Sequence, residues 1–507
     1  MHPLAKLDHR YVWHPFTQMH DWLQREPIVI TSGHGAVLCD VGGTEYLDGN
    51  SSIWTNLHGH QHPKINAAIQ RQLKRISHSS ALGLANEPAS LLAERLARLA
   101  NSMHDGGTSY TSPYSSLAKS GTRVTRPSAV VLEKVFFSDD GSTAMEVALK
   151  LAYEFTRRSR GPKPEPRFLS LEGSYHGDTV GAVSLGSIDL FHKAYAGLLF
   201  KSDRVMSPYC YRCPFNRAKP ERADAREYRK CDWECVGKVE QKFAAQKKRG
   251  NPYAGFVFEP LMQGAAGMIP QPSGWLRQVT DVARAHGALL IADEVMTAFG
   301  RVGQASRLSL TFPDDRDRRD GCPALFACHH ESVQPDFLAL AKGLTGGYLP
   351  MAATLTTQKV FAAFLGRYEE LKTFFHGHSY TANQLGAVAA LASLEILQSP
   401  ASIRARDKLE QTLRKELKSL WALPNVGDIR QVGLIAGIEL VRNWRTRQPF
   451  PLRECVGMRV CEAMASRGVL TRPIGNVIVL MPPYCTTPKQ ARHMITALRE
   501  ACDEVFR

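Results

Sequence analysis

Between about residues 130 and 357, short apolar runs alternate with amphipathic stretches, and that rhythm restricts the chain to few folds. The runs span residues 134–137, 167–171, 255–258, 288–292, 337–341 and 351–355. Runs this short suit strands buried on both faces, and the stretches between them are long enough for crossing helices. Residues 143–155 put Met145, Ala148, Leu149 and Ala152 on one helical face, and Thr143-Ala-Met-Glu146 fits a capping box at its start. Residues 275–285 read as a second helix. Strands alternating with helices imply an α/β fold with a largely parallel sheet covered on both sides. Such sheets place ligands at the carboxyl ends of their strands. The polar clusters Ser138-Asp-Asp-Gly-Ser142, Gly173-Ser-Tyr-His176, Glu259-Pro260, Asp293-Glu294 and Lys342-Gly343 all sit at or just beyond the end of a run.

A chain of 507 residues can bury a large core in two or more units. Residues 61–357 make the large unit. After about 357 the pattern changes to long helical stretches (384–397, 403–420) and short strands (433–441, 477–481), which predicts a smaller α+β unit over 358–507. Residues 1–60 are expected to serve the site and the small unit. Three segments read as insertions: one near 101–128 rich in Ser, Thr, Gly and Pro, a basic one at 201–250, and one of mixed charge at 307–323.

The formal net charge is +15, and residues 201–250 hold fourteen Lys or Arg against seven Asp or Glu. That run lacks the regular aromatic interleaving that stacks bases, so a solvated basic surface is expected and no nucleic acid. No apolar run approaches the roughly 20 residues that span a bilayer, and the first residues lack a signal-peptide pattern, so a cytoplasmic protein without a membrane partner is expected. Eleven cysteines imply free thiols. Cys210-x2-Cys213 and Cys231-x3-Cys235 have a spacing able to surround Zn²⁺. The second pair departs from Cys-x2-Cys, and Tyr209, Tyr211, Arg212 and Pro214 suit a packed loop, so ordinary thiols and no metal are the expectation.

Four elements carry chemistry. Lys342 ends an apolar run and precedes glycines; desolvation there lowers an amine's pKa and frees it to attack a carbonyl. Taken singly it would more often be a snorkelling surface lysine. Asp293 ends a buried run, where a carboxylate is costly without a cation, or else belongs to a structural salt bridge. Asp140-Gly141-Ser142 opens a helix whose free amides suit a phosphate. Tyr175-His176 offers a ring to a planar ligand, or to the core.

In this order, with Glu259-Pro-Leu-Met-Gln263-Gly, the run from Asp293 to Arg301 and His376-Gly-His-Ser379-Tyr, these elements resemble the class III aminotransferases over nearly the whole chain. The resemblance implies pyridoxal fold type I, with a mostly parallel sheet of seven strands, pyridoxal 5'-phosphate as cofactor, and a homodimer with shared sites. Carried across by residue, Lys342 is the Schiff-base lysine and proton shuttle, Asp293 the partner of the ring nitrogen, and Gly141 with Ser142 the phosphate clamp. Tyr175 is the stacking, substrate-facing tyrosine. Gly377, His378 and Ser379 form a loop reaching substrate and the neighbouring subunit's phosphate.

Trp13-His-Pro-Phe16-Thr-Gln-Met19, Ser51-Ser-Ile53-Trp54, Leu470-Thr-Arg472-Pro-Ile-Gly475 and Met481-Pro-Pro-Tyr484 are similar to the 7,8-diaminononanoate synthases within that class. This branch implies transfer of an amino group to 8-amino-7-oxononanoate in biotin synthesis, with Arg472 on the substrate carboxylate. Phe16, Ile53 and Trp54 would line the substrate site. Phe16 stands where many relatives have tyrosine, and Ile53 where many have tryptophan, which opens the donor to either S-adenosylmethionine, slightly favoured, or lysine. Another class III amine transfer, an aminomutase, and a non-catalytic basic binding protein on the same fold are the alternatives.

Overall fold

The structure, a computed structural model, describes residues 1–102, 130–303 and 324–507. The insertions expected near 101–128 and 307–323 lie almost wholly outside those residues. Each of the six apolar runs forms a strand. Together with a short one they build a single sheet of β1 (Leu132–Ser138), β2 (Phe168–Leu171), β3 (Asp203–Val205), β4 (Gly255–Phe258), β5 (Leu289–Asp293), β6 (Phe337–Leu340) and β7 (Ala352–Thr357). Their order across the sheet is β1-β7-β6-β5-β4-β2-β3. Only β7 runs antiparallel to its neighbours. The strand β3, Asp-Arg-Val, gave no apolar signal because it closes the sheet's edge and needs fewer buried side chains.

Alternation along the central strands loads both faces. Phe256 and Phe258, Leu290 and Ala292, and Leu338 and Leu340 join one core. Val257, Ile291, Phe337 and Ala339 join the other, packed with the Gly141–Arg160 helix through Met145, Ala148 and Ala152. Burying each large side chain contributes about 1.5–3 kcal/mol, which is why a sheet covered twice tolerates so few polar positions. The register sets Ile291 beside both Phe337 and Val257. Asp293, Glu259 and the approach to Lys342 therefore emerge side by side.

The helix expected at 143–155 begins earlier, at Gly141, and runs to Arg160. Its capping box is not Thr143 with Glu146. Asp140 is the cap: its carboxylate accepts from the Thr143 amide at 2.9 Å, and the Thr143 hydroxyl accepts from the Asp140 amide at 3.0 Å. Glu146 instead accepts from the amides of Gly181 and Ala182. The helix at 275–285 appears as expected, as Trp275–Ala285.

In the C-terminal part, the strand expected at 433–441 appears as Ile435–Asn443, the second strand of a hairpin whose first strand, Val426–Val432, was not expected. Gly433 turns it at φ 57°, where a Cβ would lie 2.2 Å from the Val302 carbonyl carbon. Val477–Leu480 extends this sheet. The helix expected at 403–420 begins at Pro400 under a Ser399 cap and ends at Leu417. Gln384–Leu397 lies beyond residue 357 yet packs on Pro63–Leu73 and Glu87–Ala100. The strands Ile30–His34, Val37–Asp40 and Glu45–Asp48 form a separate sheet, joined in parallel by Val469–Leu470 from the other end of the chain. Among the described residues no single helix is long and apolar enough to cross a membrane.

His58 pins the N-terminal segment to the Gln384–Leu397 helix through a 2.9 Å contact between Nε2 and Ser393 Oγ. Burial first, then His62, Arg406 and Arg301, push its pKa down to about 3, so the folded state holds it neutral. The unfolded chain binds that proton near pH 6.5 and the folded one refuses it until about 3, so stability falls with pH across this window. By pH 5 the loss from this group is about 2 kcal/mol. His58→Gln is therefore expected to lose less stability than the parent between pH 7 and 5 in denaturant unfolding. Parallel losses would remove His58 from the acid response.

Candidate active site

The carboxyl ends of β1, β2, β4, β5 and β6 open onto one cavity of about 710 Å³, whose walls include Trp54, Gly141, Ser142, Tyr175, Asp293 and Lys342. Six residues singled out from the sequence thus meet in one place. Lys342 takes φ 43° just past β6, which turns its side chain off the strand direction. It is partly exposed, and it lines the cavity. Its Nζ stands 5.2 Å from the centre of the Trp54 ring. Desolvation lowers its pKa, against the nearby carboxylates Asp293, Glu259 and Asp140, which raise it. The free amine is thereby easier to reach than on an ordinary lysine.

Asp293 is buried at the end of β5. Its Oδ2 lies 2.7 Å from His176 Nδ1, and its Oδ1 accepts from the Val295 amide at 3.1 Å. His176 is buried, and its Nε2 has no protein partner. Glu259, just past β4, accepts from the amides of Tyr175 (3.2 Å) and Gly264 (2.8 Å). Burial, opposed by His176 and reinforced by Asp293, pushes its pKa up to about 7. The Tyr175 hydroxyl donates to Asp178 at 2.6 Å, and burial, then Asp178, raises its pKa, so the phenol keeps its proton.

At the other wall, the Asp140 cap leaves the first-turn amides of Gly141 and Ser142 ahead of the first helical bond, from the Ala144 amide to the Asp140 carbonyl. Gly141 is required: a Cβ there would lie 2.6 Å from Val295 Cγ1. Gly177, at φ 115°, leaves room for Ser142, whose Oγ accepts from the Thr179 amide at 2.9 Å.

Trp54 reaches the cavity from a turn in which Ser51, Ser52, Ile53 and Trp54 all have φ between 49° and 68°. Left-handed backbone costs on the order of 1–2 kcal/mol per residue, so this turn needs external support. Asp48 supplies it, accepting from the Ser52 amide and hydroxyl, both at 2.9 Å, while His60 Nε2 stands 3.1 Å from its Oδ2. Ser51 Oγ donates to the Met481 carbonyl at 2.7 Å.

The other expected site residues are not in the cavity wall. Phe16 is exposed, and its ring meets Phe191 edge-on at 5.3 Å; Phe191 in turn meets Tyr175 at 6.2 Å. Ile53 is exposed beside Trp54. His378 Nδ1 lies 3.4 Å from Asp139, which does line the cavity, while Gly377 and Ser379 are exposed. Arg472 is exposed, two residues beyond the strand that pairs with Glu45–Asp48. His176, Thr179 and Asp139 were not singled out as site residues from the sequence. The Tyr-His pair was the available signal for His176, but its partner Asp293 lies 117 residues away.

This set fits pyridoxal phosphate. Free amides at a helix start suit a phosphate, a buried carboxylate braced by histidine suits a cationic ring nitrogen, and the lysine amine faces both across a cavity of sufficient size. The comparisons agree. The model of the Aminotransferase class-III family matches residues 19–309 and 321–502. The adenosylmethionine-8-amino-7-oxononanoate aminotransferase of Geobacter sulfurreducens is 42% identical over 99% of this chain and 98% of its own. The crystal structure of the protein of that name from Methanocaldococcus jannaschii has a TM-score of 0.81 at 37% identity, covering 99% of this chain and 98% of that one. An amine transaminase from an uncultivated Pseudomonas species, solved with PLP bound, gives 0.80 at 30% identity, over 97% and 98% of the two chains. With the family matched from end to end and the cofactor's pole intact, the chain belongs to the class III aminotransferases and is a pyridoxal-phosphate-dependent enzyme.

Proposed function

We propose that this enzyme moves an amino group from S-adenosylmethionine to 8-amino-7-oxononanoate, giving 7,8-diaminononanoate for biotin synthesis, as a cytoplasmic homodimer. The observation that carries the reading is the similarity to relatives of that name over 98–99% of both chains, at 42% identity for the Geobacter sulfurreducens protein and 38% for the Methanocaldococcus jannaschii one. When bound, the cofactor supplies an aldehyde carbon and a ring that accepts electron density. The chain's residues do the rest. Asp293, oriented by His176, holds a positive charge at the ring nitrogen. Gly141 and Ser142 anchor the phosphate through backbone amides, and Tyr175 covers the ring. Lys342 would hold the cofactor at rest and, once released, its amine would take and return a proton at the substrate carbon; a lowered pKa keeps the amine able to take that proton. Phe16, Ile53 and Trp54 line the path of the substrates, and Arg472 takes the keto acid's carboxylate.

The pairing of two copies draws support from the surface around Gly377–Ser379. Phe375 and Tyr380 are 75% and 62% exposed, and Leu82, on a loop bonded to this segment through His78 and the Ser379 carbonyl, is 92% exposed. Clustered exposed apolar side chains mark interaction sites. The basic insertion at 201–250 spends several arginines internally, Arg212 on Glu439 and Arg226 on Asp224 among them, which fits a protein without a nucleic-acid partner.

Lys342→Ala is expected to fold, to bind cofactor without being fixed to it by borohydride, and to lose turnover. Borohydride labelling of a peptide carrying another lysine would falsify its role. Arg472→Ala is expected to slow the keto-acid half-reaction by roughly 30- to 150-fold, for a charge-assisted bidentate contact of about 2–3 kcal/mol, while sparing the donor half-reaction. Equal losses in the two single-turnover measurements would assign Arg472 elsewhere. For the donor, S-adenosylmethionine alone is expected to convert the bound aldehyde form of the cofactor to its amine form, read as loss of the aldehyde's visible absorbance. If lysine produces that change and S-adenosylmethionine does not, lysine is the donor.

A further inference from the structure

The first part of the insertion at 201–250 has little regular structure of its own. Between Val205 and Glu234 it contains one 3₁₀ turn (Cys210–Arg212) and one helical turn (Ala225–Tyr228). Its own core is Cys210, Tyr211 and Ala225, with Tyr209 and Tyr228 packed around them. Segments with so small a core need a staple, and a metal is one of the few kinds available. All four cysteines of the spaced pairs, Cys210, Cys213, Cys231 and Cys235, face one small void of about 10 Å³, enough for a single ion. The void shares no wall with the Lys342 cavity.

We propose that these four cysteines bind one structural zinc ion as thiolates. Two independent observations meet here: the paired spacing in the sequence, and the convergence of both pairs on one void although seventeen residues lie between Cys213 and Cys231. All four thiols are free of disulfides. The surroundings suit the charge of the complex. Zinc with four thiolates carries two negative charges, and the Arg229 guanidinium stands 3.0 Å from Cys231 Sγ within a segment that has seven more basic than acidic residues. Arg229 also lies 4.0 Å over the Trp233 ring, which lines the void. Among the described residues no three His, Cys, Asp or Glu side chains already stand in the arrangement of a bound ion. Cys210 and Cys235 are buried, on a 3₁₀ turn and in a helix's first turn; Cys213 and Cys231 lie in partly exposed loops, and it is these two that would swing in to reach about 2.3 Å from the metal.

The ion would lock the segment onto the C-terminal hairpin. Tyr209 and Arg212 bond Glu439, Arg222 reaches the carbonyls of Leu423 and Val426, and Arg226 donates to the Gln431 carbonyl at 2.8 Å. The role is therefore in stability rather than amino transfer.

Elemental analysis of the full-length holoenzyme, purified without chelator or metal-affinity resin, is expected to find one zinc per chain. A mercurial that caps thiols should release that zinc in step with its addition. The double variant Cys210→Ser, Cys213→Ser should lose the metal and unfold at lower temperature. Should it fail to fold, exchange of cobalt into the parent protein gives a second reading, since four thiolates produce an intense thiolate-to-cobalt charge-transfer band. Parent protein with no zinc and no such band, its four thiols reacting freely in the native state, would overturn the proposal. So would iron with acid-labile sulfide in place of zinc.

Discussion

A lysine and two carboxylates held largely out of water at the ends of adjacent strands set the terms for everything around them. Isolated buried charges cost several kcal/mol each, so each needs an answer within reach. Asp293 leans on His176, and Glu259 takes two backbone amides and shifts toward its neutral form. Lys342 is drawn toward its neutral amine. No pairing among the three uses up the carboxylate of Asp293 or the amine of Lys342, and His176 keeps an unpartnered nitrogen. The protein alone leaves this pole electrostatically unfinished. A cofactor offering an aldehyde to the amine and a cationic nitrogen to the carboxylate would complete it.

The sheet can deliver these groups only from below, and the opposite wall comes from the ends of the chain. Four consecutive left-handed residues would not persist in a free loop, and none of the four is glycine. They persist because Asp48 gathers Ser52 and His60, and because Ser51 reaches the Met481 carbonyl. The strand Val469–Leu470 adds a second clasp by pairing with Glu45–Asp48. Trp54 and the segment bearing Arg472 are consequently parts of one assembly. Moving either moves the other, though they lie more than four hundred residues apart in sequence.

How much of this could be read in the sequence follows from the range of the interactions concerned. The six strands and the clusters that follow them were legible because hydrophobic runs and strand ends are local features. The start of the Gly141–Arg160 helix was misjudged by two residues: Asp140 and Thr143 offer a cap just as Thr143 and Glu146 do, and the choice falls on the first only because Glu146 is taken by Gly181 and Ala182. The first strand of the hairpin at Gly433 was missed because Val426–Val432 carries Asp428 and Arg430, whose charges are neutralised only on folding, with Arg430 meeting Asp428 at 2.9 Å and Glu439 at 2.7 Å. His176 and Thr179 were passed over for the same reason: each gains its meaning from a partner far along the chain.

The two poles of the site answer to different constraints. Around the cavity, Gly141 cannot accept a methyl group beside Val295, Gly177 holds a backbone angle that other residues resist, and Asp293 is buried. Substitutions there meet packed atoms or strand a charge. Phe16 and Ile53, by contrast, are exposed, and their side chains can change without disturbing the sheet. Function can vary at such exposed positions of the terminal segments while the packed residues of the sheet's end stay fixed, because the fold constrains the second group and not the first.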